Sequence, residues 1–285
     1  MRHWQTTRFR IDLTAPQVMG IVNVTPDSFS DGGSHEGVSA AMIHAEKLLA
    51  DGAHILDIGG ESTRPGSPAV PLDEELRRVL PVVKAAVALQ VPISVDTYKP
   101  EVMQAVLDLG ADIINDIWAL RQPGAQAVVA AHPQCGVCLM HMHADPQTMH
   151  QEHMATQSDV AAEVLDFLQA HTRSLQALGV QAERIVWDAG TGFGKSPSQN
   201  FALLQQQPRL AAAGYPLLAG WSRKGSLGKV TGRVVAERMP ASIAAALLSV
   251  EHGAAIVRVH DVRETCDALA VLQAMRAPQS LDTQG

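Results

Sequence analysis

Short apolar runs punctuate the chain at near-even spacing, and longer stretches with helical periodicity separate them. The runs are Val18–Val22, Ile55–Ile58, Pro92–Val95, Ile113–Ile114, Val137–Met140, Ile185–Trp187, Pro216–Ala219 and Ala255–Val259. Each is too short for a helix and lacks strict polar alternation, so each reads as a strand covered on both faces. Several end abruptly in polar residues: Asn23 after the first, Asp96 after the third, Asn115 and Asp116 after the fourth, Asp188 after the sixth. The eighth leads through Arg258 to His260. Between the runs, apolar residues recur at helical spacing over about 40–50, 73–89, 100–109, 125–131, 159–178, 199–212, 241–252 and 262–275. Pro100 suits a first helical turn, and Gly110 and Gly179 suit helix ends.

Eight strand–helix alternations predict a single α/β domain over 1–285, a closed (β/α)8 TIM barrel with its core at about 18–274 and a polar tail at 279–285. An open doubly wound sheet would carry a glycine fingerprint after its first strand. This chain has Asn-Val-Thr-Pro-Asp there, at 23–27. A closed barrel gathers the carboxyl ends of its strands at one rim, so the residues that end the runs should surround one cavity.

Composition narrows the function. Hydrophobic residues make up 46% of the 285 and aromatic ones only 4%, which predicts a core of Ala, Val, Leu and Ile. A net charge of −7 argues against a general nucleic-acid binder but leaves room for a local basic pocket. No run approaches the roughly 18 apolar residues of a membrane span, and 1–12 lack the apolar core of a signal peptide. Three cysteines are too few for a disulfide framework, so a reducing cytoplasm fits. Cys135 and Cys138 are spaced like a redox pair. On a strand, however, residues three apart face opposite sides, which predicts buried structural thiols.

The loops carry the chemistry. Those at 25–33 and 59–68 are long and rich in turn formers, as loops that close over substrates often are. The first holds Phe29; the second holds Thr63, Arg64 and Pro65, and Arg64 offers a planar fork for phosphate or carboxylate. Asn23 offers a hard neutral oxygen, suited to Mg²⁺ when phosphates fill the other positions, although a lone Asn is also an ordinary turn cap. Asp96, Asn115 and Asp188 together suit a flat heterocycle rich in N–H donors; the competing reading is that each caps the following helix. Ser222, Lys224, Arg258 and His260 follow the last two strands, where barrels often hold phosphate. Arg258 and His260 are two apart, so on a strand they can grip one anion together.

The segment 189–196 resembles a phosphate loop, with Lys195 and Ser196 suitably placed. Ala189 breaks the strict pattern. Pro197 pushes the residue before it out of helical geometry, which disqualifies nucleotide hydrolysis. The glycines more plainly let the backbone approach a flat ligand, with Phe193 beside it. His141 and His143 lack the companions of a zinc site, so a hydrogen-bonding or core role is expected.

Taken together, Met19–Gly33, Gly59–Gly66, Ile93–Thr97, Ile114–Asp116, the loop after Asp188, Ser222–Lys224 and Arg258–Val262 resemble the dihydropteroate synthase family of the bacterial folate pathway. The likeness covers about Val18–Ala274. It implies condensation of 6-hydroxymethyl-7,8-dihydropterin pyrophosphate with 4-aminobenzoate. Asp96, Asn115, Asp188 and Lys224 would hold the pterin. Asn23 would help bind Mg²⁺ on the pyrophosphate, which Arg258 and His260 grip, while Thr63 and Arg64 bridge toward the reacting end. Phe29, Pro65, Phe193 and Ser222 would shape the aminobenzoate pocket, where sulfonamides also bind. Asp96, Lys224, Arg258 and His260 would be the catalytic set, in a homodimer. A pterin-binding module for methyl transfer to a corrinoid partner, or a non-catalytic paralogue, are the alternatives. The methyl-transfer module would have little reason for both long loops and the Arg258/His260 pair. Ala189 and Thr191 depart from the family pattern without removing a ligand.

Overall fold

The structure is a computed structural model that describes residues 2–24, 34–62, 69–143, 145, 154 and 159–278. A short antiparallel hairpin comes first, β1 (His3–Gln5) with β2 (Arg10–Asp12). Eight parallel strands follow: β3 (Gln17–Asn23), β4 (Ile55–Gly59), β5 (Ile93–Asp96), β6 (Ile113–Asp116), β7 (Gly136–Met140), β8 (Ile185–Asp188), β9 (Leu217–Ala219) and β10 (Ala254–Val259). Each pairs with its neighbours in sequence, and β10 pairs back onto β3, closing the barrel. The helices are α1 (Ser34–Ala50), α2 (Leu72–Ala86), α3 (Pro100–Asp108), α4 (Ala125–Ala131), α5 (Val160–Ala177), α6 (Pro197–Ala211), α7 (Gly225–Thr231), α8 (Met239–Glu251) and α9 (Val262–Arg276).

The barrel and its eight strands are as predicted. Among the described residues, a hairpin and a short helix are additions to that prediction. The first is the hairpin, whose paired Trp4 and Ile11 are its only apolar strand residues and give no periodic signal. The second is α7, a seven-residue helix whose two glycines depress intrinsic helix propensity. The helix predicted from about 40 begins at Ser34.

Side chains alternate across each strand, so a single parity decides what fills the barrel. Near the amino-terminal end the inward set is Met19, Ile55, Ile113, Cys138, Val186, Leu218 and Ile256, packed under Trp4 and Ile11. Counting on by twos along the same strands reaches Asn23, Asp57, Asn115, Asp188 and Arg258. Ser94 pairs with Asp57, and Asp96 pairs with Asn115, which puts β5 in step. One periodicity therefore makes an apolar floor and a polar rim. The opposite parity, including Val18, Leu56, Val95, Ile114 and Trp187, packs outward against the helices. Cys138 faces inward and Cys135 belongs to the outer core; both are free and buried, as three-residue spacing predicted.

Candidate active site at the carboxyl-terminal rim

The rim is built in register. Asn23 pairs with Gly59, Gly59 with Asp96, and Asp96 with Asn115, so three predicted site residues lie along adjacent strand ends. Asn23 is exposed, Asp96 half-buried and Asn115 buried. None of Asp96, Asn115 and Asp188 caps a helix: the residues in those positions are Lys99 for α3, Gly124 for α4 and Ser196 for α6. Adjacent Asp116 serves the loop instead, accepting from Trp118 N at 2.7 Å and Leu120 N at 2.8 Å.

Arg258 lies at the centre. Its Nε donates to Asp57 Oδ2 at 2.5 Å and its Nη2 to Asp96 Oδ2 at 2.8 Å. Asn115 Nδ2 donates to the same Asp57 oxygen at 3.2 Å. Asp57 thus orients two predicted site residues, yet the sequence reading passed over it. Its signal was visible: it is the one acid inside the apolar run Ile55–Ile58. Asp57 Oδ1 and Ser94 Oγ are buried without a hydrogen-bond partner among the described residues. Arg258 and His260, expected to act on one anion, have different protein partners. His260 N donates to Ser222 Oγ at 3.2 Å, and that hydroxyl lies 2.9 Å from His260 Nδ1. The tautomer of the ring sets which of the two, Ser222 Oγ or His260 Nδ1, is the donor in that contact.

Burial governs the charges. It pushes Asp96 up to about 7, against the pull of Arg258 and with help from nearby Asp57. Burial also raises Asp188, although Gly190 N donates to its Oδ1 at 2.7 Å and Lys224 favours its charge. Burial pulls Lys224 down to about 8, with Asp188 resisting. It also opposes the charge on Arg258, but Asp57 and Asp96 outweigh it and hold that group above its ordinary value. Perturbed groups gathered at one rim are what proton-sensitive recognition requires.

Lys224 Nζ sits 4.1 Å from the centroid of the Phe193 ring, which packs with Ile117, Met140 and Met142. Between Ser222 and Lys224, Arg223 adopts φ +59, a strained left-handed conformation. It is fastened by Ser242 Oγ to its N–H and by two bonds from its guanidinium to Asp261. This clamp joins the loop carrying Lys224 to the loop carrying His260, and the sequence reading missed it.

The glycine loop is no phosphate loop. Ser196 caps α6 in a reciprocal arrangement with Gln199, and Pro197 takes the first helical position, as the proline argument required. Lys195 is buried with its ammonium on backbone carbonyls. Gly190 has φ +67, and a side chain there would collide with the His141 carbonyl. His141 is buried with its ring edge-on to Phe167, 4.8 Å between centroids, a core role. Phe29, Thr63, Arg64 and Pro65 lie outside the described residues. Cavities elsewhere are weaker candidates. One of about 260 Å³ lies under β9 and β10, beside exposed Arg276. Another of about 550 Å³ lies between α3 and α4, beside exposed Glu101 and Asp108.

Comparison with known proteins agrees with this geometry. The sequence profile of the family described as "Pterin binding enzyme" matches residues 19–260. The dihydropteroate synthase of Neisseria meningitidis serogroup B is 48% identical over 281 residues, covering 96% of this chain and 98% of that one. The structure of Burkholderia cenocepacia dihydropteroate synthase complexed with 7,8-dihydropteroate is 50% identical with a TM-score of 0.89, covering 98% of each chain. That of the Xanthomonas albilineans enzyme with 4-aminobenzoic acid is 51% identical with a TM-score of 0.87, covering 94% of this chain and 96% of that one.

Proposed function

Because this chain belongs to the dihydropteroate synthase family of pterin-binding enzymes, we propose that its rim condenses 6-hydroxymethyl-7,8-dihydropterin pyrophosphate with 4-aminobenzoate to 7,8-dihydropteroate and pyrophosphate. The observation that carries this reading is the gathering of Asp96, Asn115, Asp188 and Lys224 at one end of the barrel, facing inward around Arg258.

The pterin presents N–H donors and a carbonyl on one edge. Asp96 and Asp188 accept from the donors in their ionised forms, Asn115 supplies an amide, and Lys224 donates to a ring acceptor. A bound N–H donor favours the charged carboxylate and offsets the burial that opposes it. Arg258 balances Asp57 and Asp96, so the cradle carries both signs of charge. Phe193 and Ser222 line the aminobenzoate side of the site; Phe29 and Pro65 are assigned to the same pocket, and Thr63 and Arg64 to the reacting end, by the family resemblance alone.

In the reaction the methylene carbon's bond to the pyrophosphate oxygen breaks, and its electron pair leaves with the pyrophosphate. The ring nitrogen lone pairs spread the positive charge left on the methylene. The aminobenzoate nitrogen then forms the new C–N bond and loses a proton. His260, Arg258 and Asn23 stabilise the departing anion. Among the described residues, no three His, Cys, Asp or Glu side chains gather as a metal cage. The exposed amide oxygen of Asn23 does fit an ion shared with the substrate, because one hard oxygen suffices when phosphates and water fill the rest. Mg²⁺ bound there would neutralise charge on the leaving group.

A homodimer through the barrel's helices accords with exposed Val230 on α7, Leu248 on α8, Val271 and Met275 on α9, and neighbouring Val234 and Val235. No helix among the described residues is long and apolar enough to cross a membrane; cytoplasmic residence remains part of the proposal. The test is pyrophosphate release by purified protein with Mg²⁺ and the pterin pyrophosphate. Release that depends on 4-aminobenzoate is expected; release indifferent to it would contradict the reading.

A further inference from the structure

The glycine loop holds a cation that takes no direct part in the proposed condensation. Lys195 is buried, and its Nζ donates to His141 O at 3.2 Å, Gly190 O at 2.9 Å and Phe193 O at 3.1 Å. Burial pulls Lys195 down to about 7 with Asp188 resisting, and in its ammonium form its three N–H bonds meet these three acceptors. No ion pair joins Lys195 to a carboxylate among the described residues, so these carbonyls are its immediate compensation for leaving water. The acceptors come from two neighbouring strand ends. His141 follows β7, while Gly190 and Phe193 belong to the loop after β8.

We propose that Lys195 is a positioning residue for the condensation, its ammonium drawing three carbonyls into one node that seats Phe193 beside Lys224 and fixes the turn on which Asp188 closes. This rests on the reading of Phe193, Lys224 and Asp188 as substrate contacts. The connections are short. Gly190 gives its carbonyl to Lys195 and its N–H to Asp188 Oδ1. Phe193 gives its carbonyl to Lys195 while its ring faces the Lys224 ammonium. Asn200 braces the node from behind: it accepts from Gly192 N at 2.8 Å and donates to Lys195 O at 3.3 Å and Ser226 Oγ at 2.9 Å. Three carbonyls converging on one point repel each other unless a compact cation holds them. A guanidinium is a flat fork and cannot fill that point, so arginine is no conservative replacement. The pattern that resembled a phosphate loop is, in this fold, a lysine holding its own loop.

The test compares Lys195→Met, Lys195→Gln and Lys195→Ala in the full-length protein. Pterin affinity is read by calorimetry, aminobenzoate KM and kcat by pyrophosphate release, and fold by thermal midpoint. Lys195→Met should lose about 10²-fold in kcat/KM for aminobenzoate, the scale of a contact displaced by about 1 Å. Lys195→Gln, with two N–H donors, should fall between Met and the parent. Propylammonium should restore activity to Lys195→Ala, and propanol, of similar size, should not. Parent-like kinetics in the Met variant would overturn the proposal, as would equal rescue by propanol, which would make the residue mere filling. Should Lys195→Met not fold, Lys195→Gln decides: a raised aminobenzoate KM supports the node, and an unchanged one overturns it. If the parent itself shows no aminobenzoate-dependent release, this proposal falls together with the reading of the site.

Discussion

The two ends of the barrel handle buried polarity in opposite ways. At the amino-terminal end, seven strand side chains close under Trp4 and Ile11, and the polar groups beside them are matched. Trp4 Nε1 donates to Arg184 O at 2.9 Å. Asp112, fully buried, accepts from Arg8 N, Nε and Nη2 and from Ile93 N. At the carboxyl-terminal end, Asp57, Asp96, Asp188, Lys195, Lys224 and Arg258 crowd into a region where burial raises two of the acids and lowers both lysines. Three polar atoms there, on Asp57, Ser94 and His141, have no partner among the described residues. The lesson is a division of labour: the fold is secured at one end, and the other is left in an electrostatic state that the proposed substrate would improve.

That division can be broken by crossing two substitutions. Lys224→Met removes a charged donor from the rim and should lower kcat/KM by roughly 10²-fold or more, with the thermal midpoint unchanged or raised. Trp4→Ala empties the opposite end and should lower unfolding free energy by about 3–5 kcal/mol, with the KM values of the folded protein unchanged. Steady-state kinetics and denaturant unfolding on both variants read the result. A destabilised Lys224→Met, or a Trp4→Ala with altered KM, would dissolve the contrast. Asp112→Ala should act in the same sense as Trp4→Ala and somewhat less strongly, by about 3 kcal/mol, because it leaves Arg8 and Ile93 N–H without their acceptor. Unfolding free energy like the parent's would show that Arg8 and the hairpin contribute little.

The securing end was the harder one to foresee. The barrel was legible because its strands are covered on both faces and its helices are periodic, which is a repeated, redundant signal. The hairpin offers one apolar residue per three-residue strand, and only the floor it covers gives Trp4 its meaning. At the rim, Asp96, Asn115 and Asp188 stood out because each ends an apolar run. Asp57 did not, since it lies within a run, one layer deeper. The Arg223–Asp261 clamp and the Lys195 node depend on contacts across 38 and 54 residues of sequence, and no local pattern encodes such a pairing. Arg258 was found for its charge, but its partners Asp57 and Asp96 became visible only when the barrel closed.

Asp96 tests the contrast most directly. Its ordinary value is 3.8 and burial raises it to about 7, so the proton it holds favours folding at low pH, and that advantage is lost as pH rises through about 7. Above that pH the ligand-free protein carries an unfavourable buried charge, which the proposed pterin N–H contact would relieve. The measurement is the thermal midpoint of the parent and of Asp96→Asn, from about pH 5 to about pH 8, with and without 6-hydroxymethyl-7,8-dihydropterin. Without ligand, Asp96→Asn should melt above the parent near pH 8, the gap closing toward pH 5; with saturating pterin the order should reverse. A variant that melts below the parent near pH 8 without ligand, or gains as much from pterin as the parent does, would contradict the account.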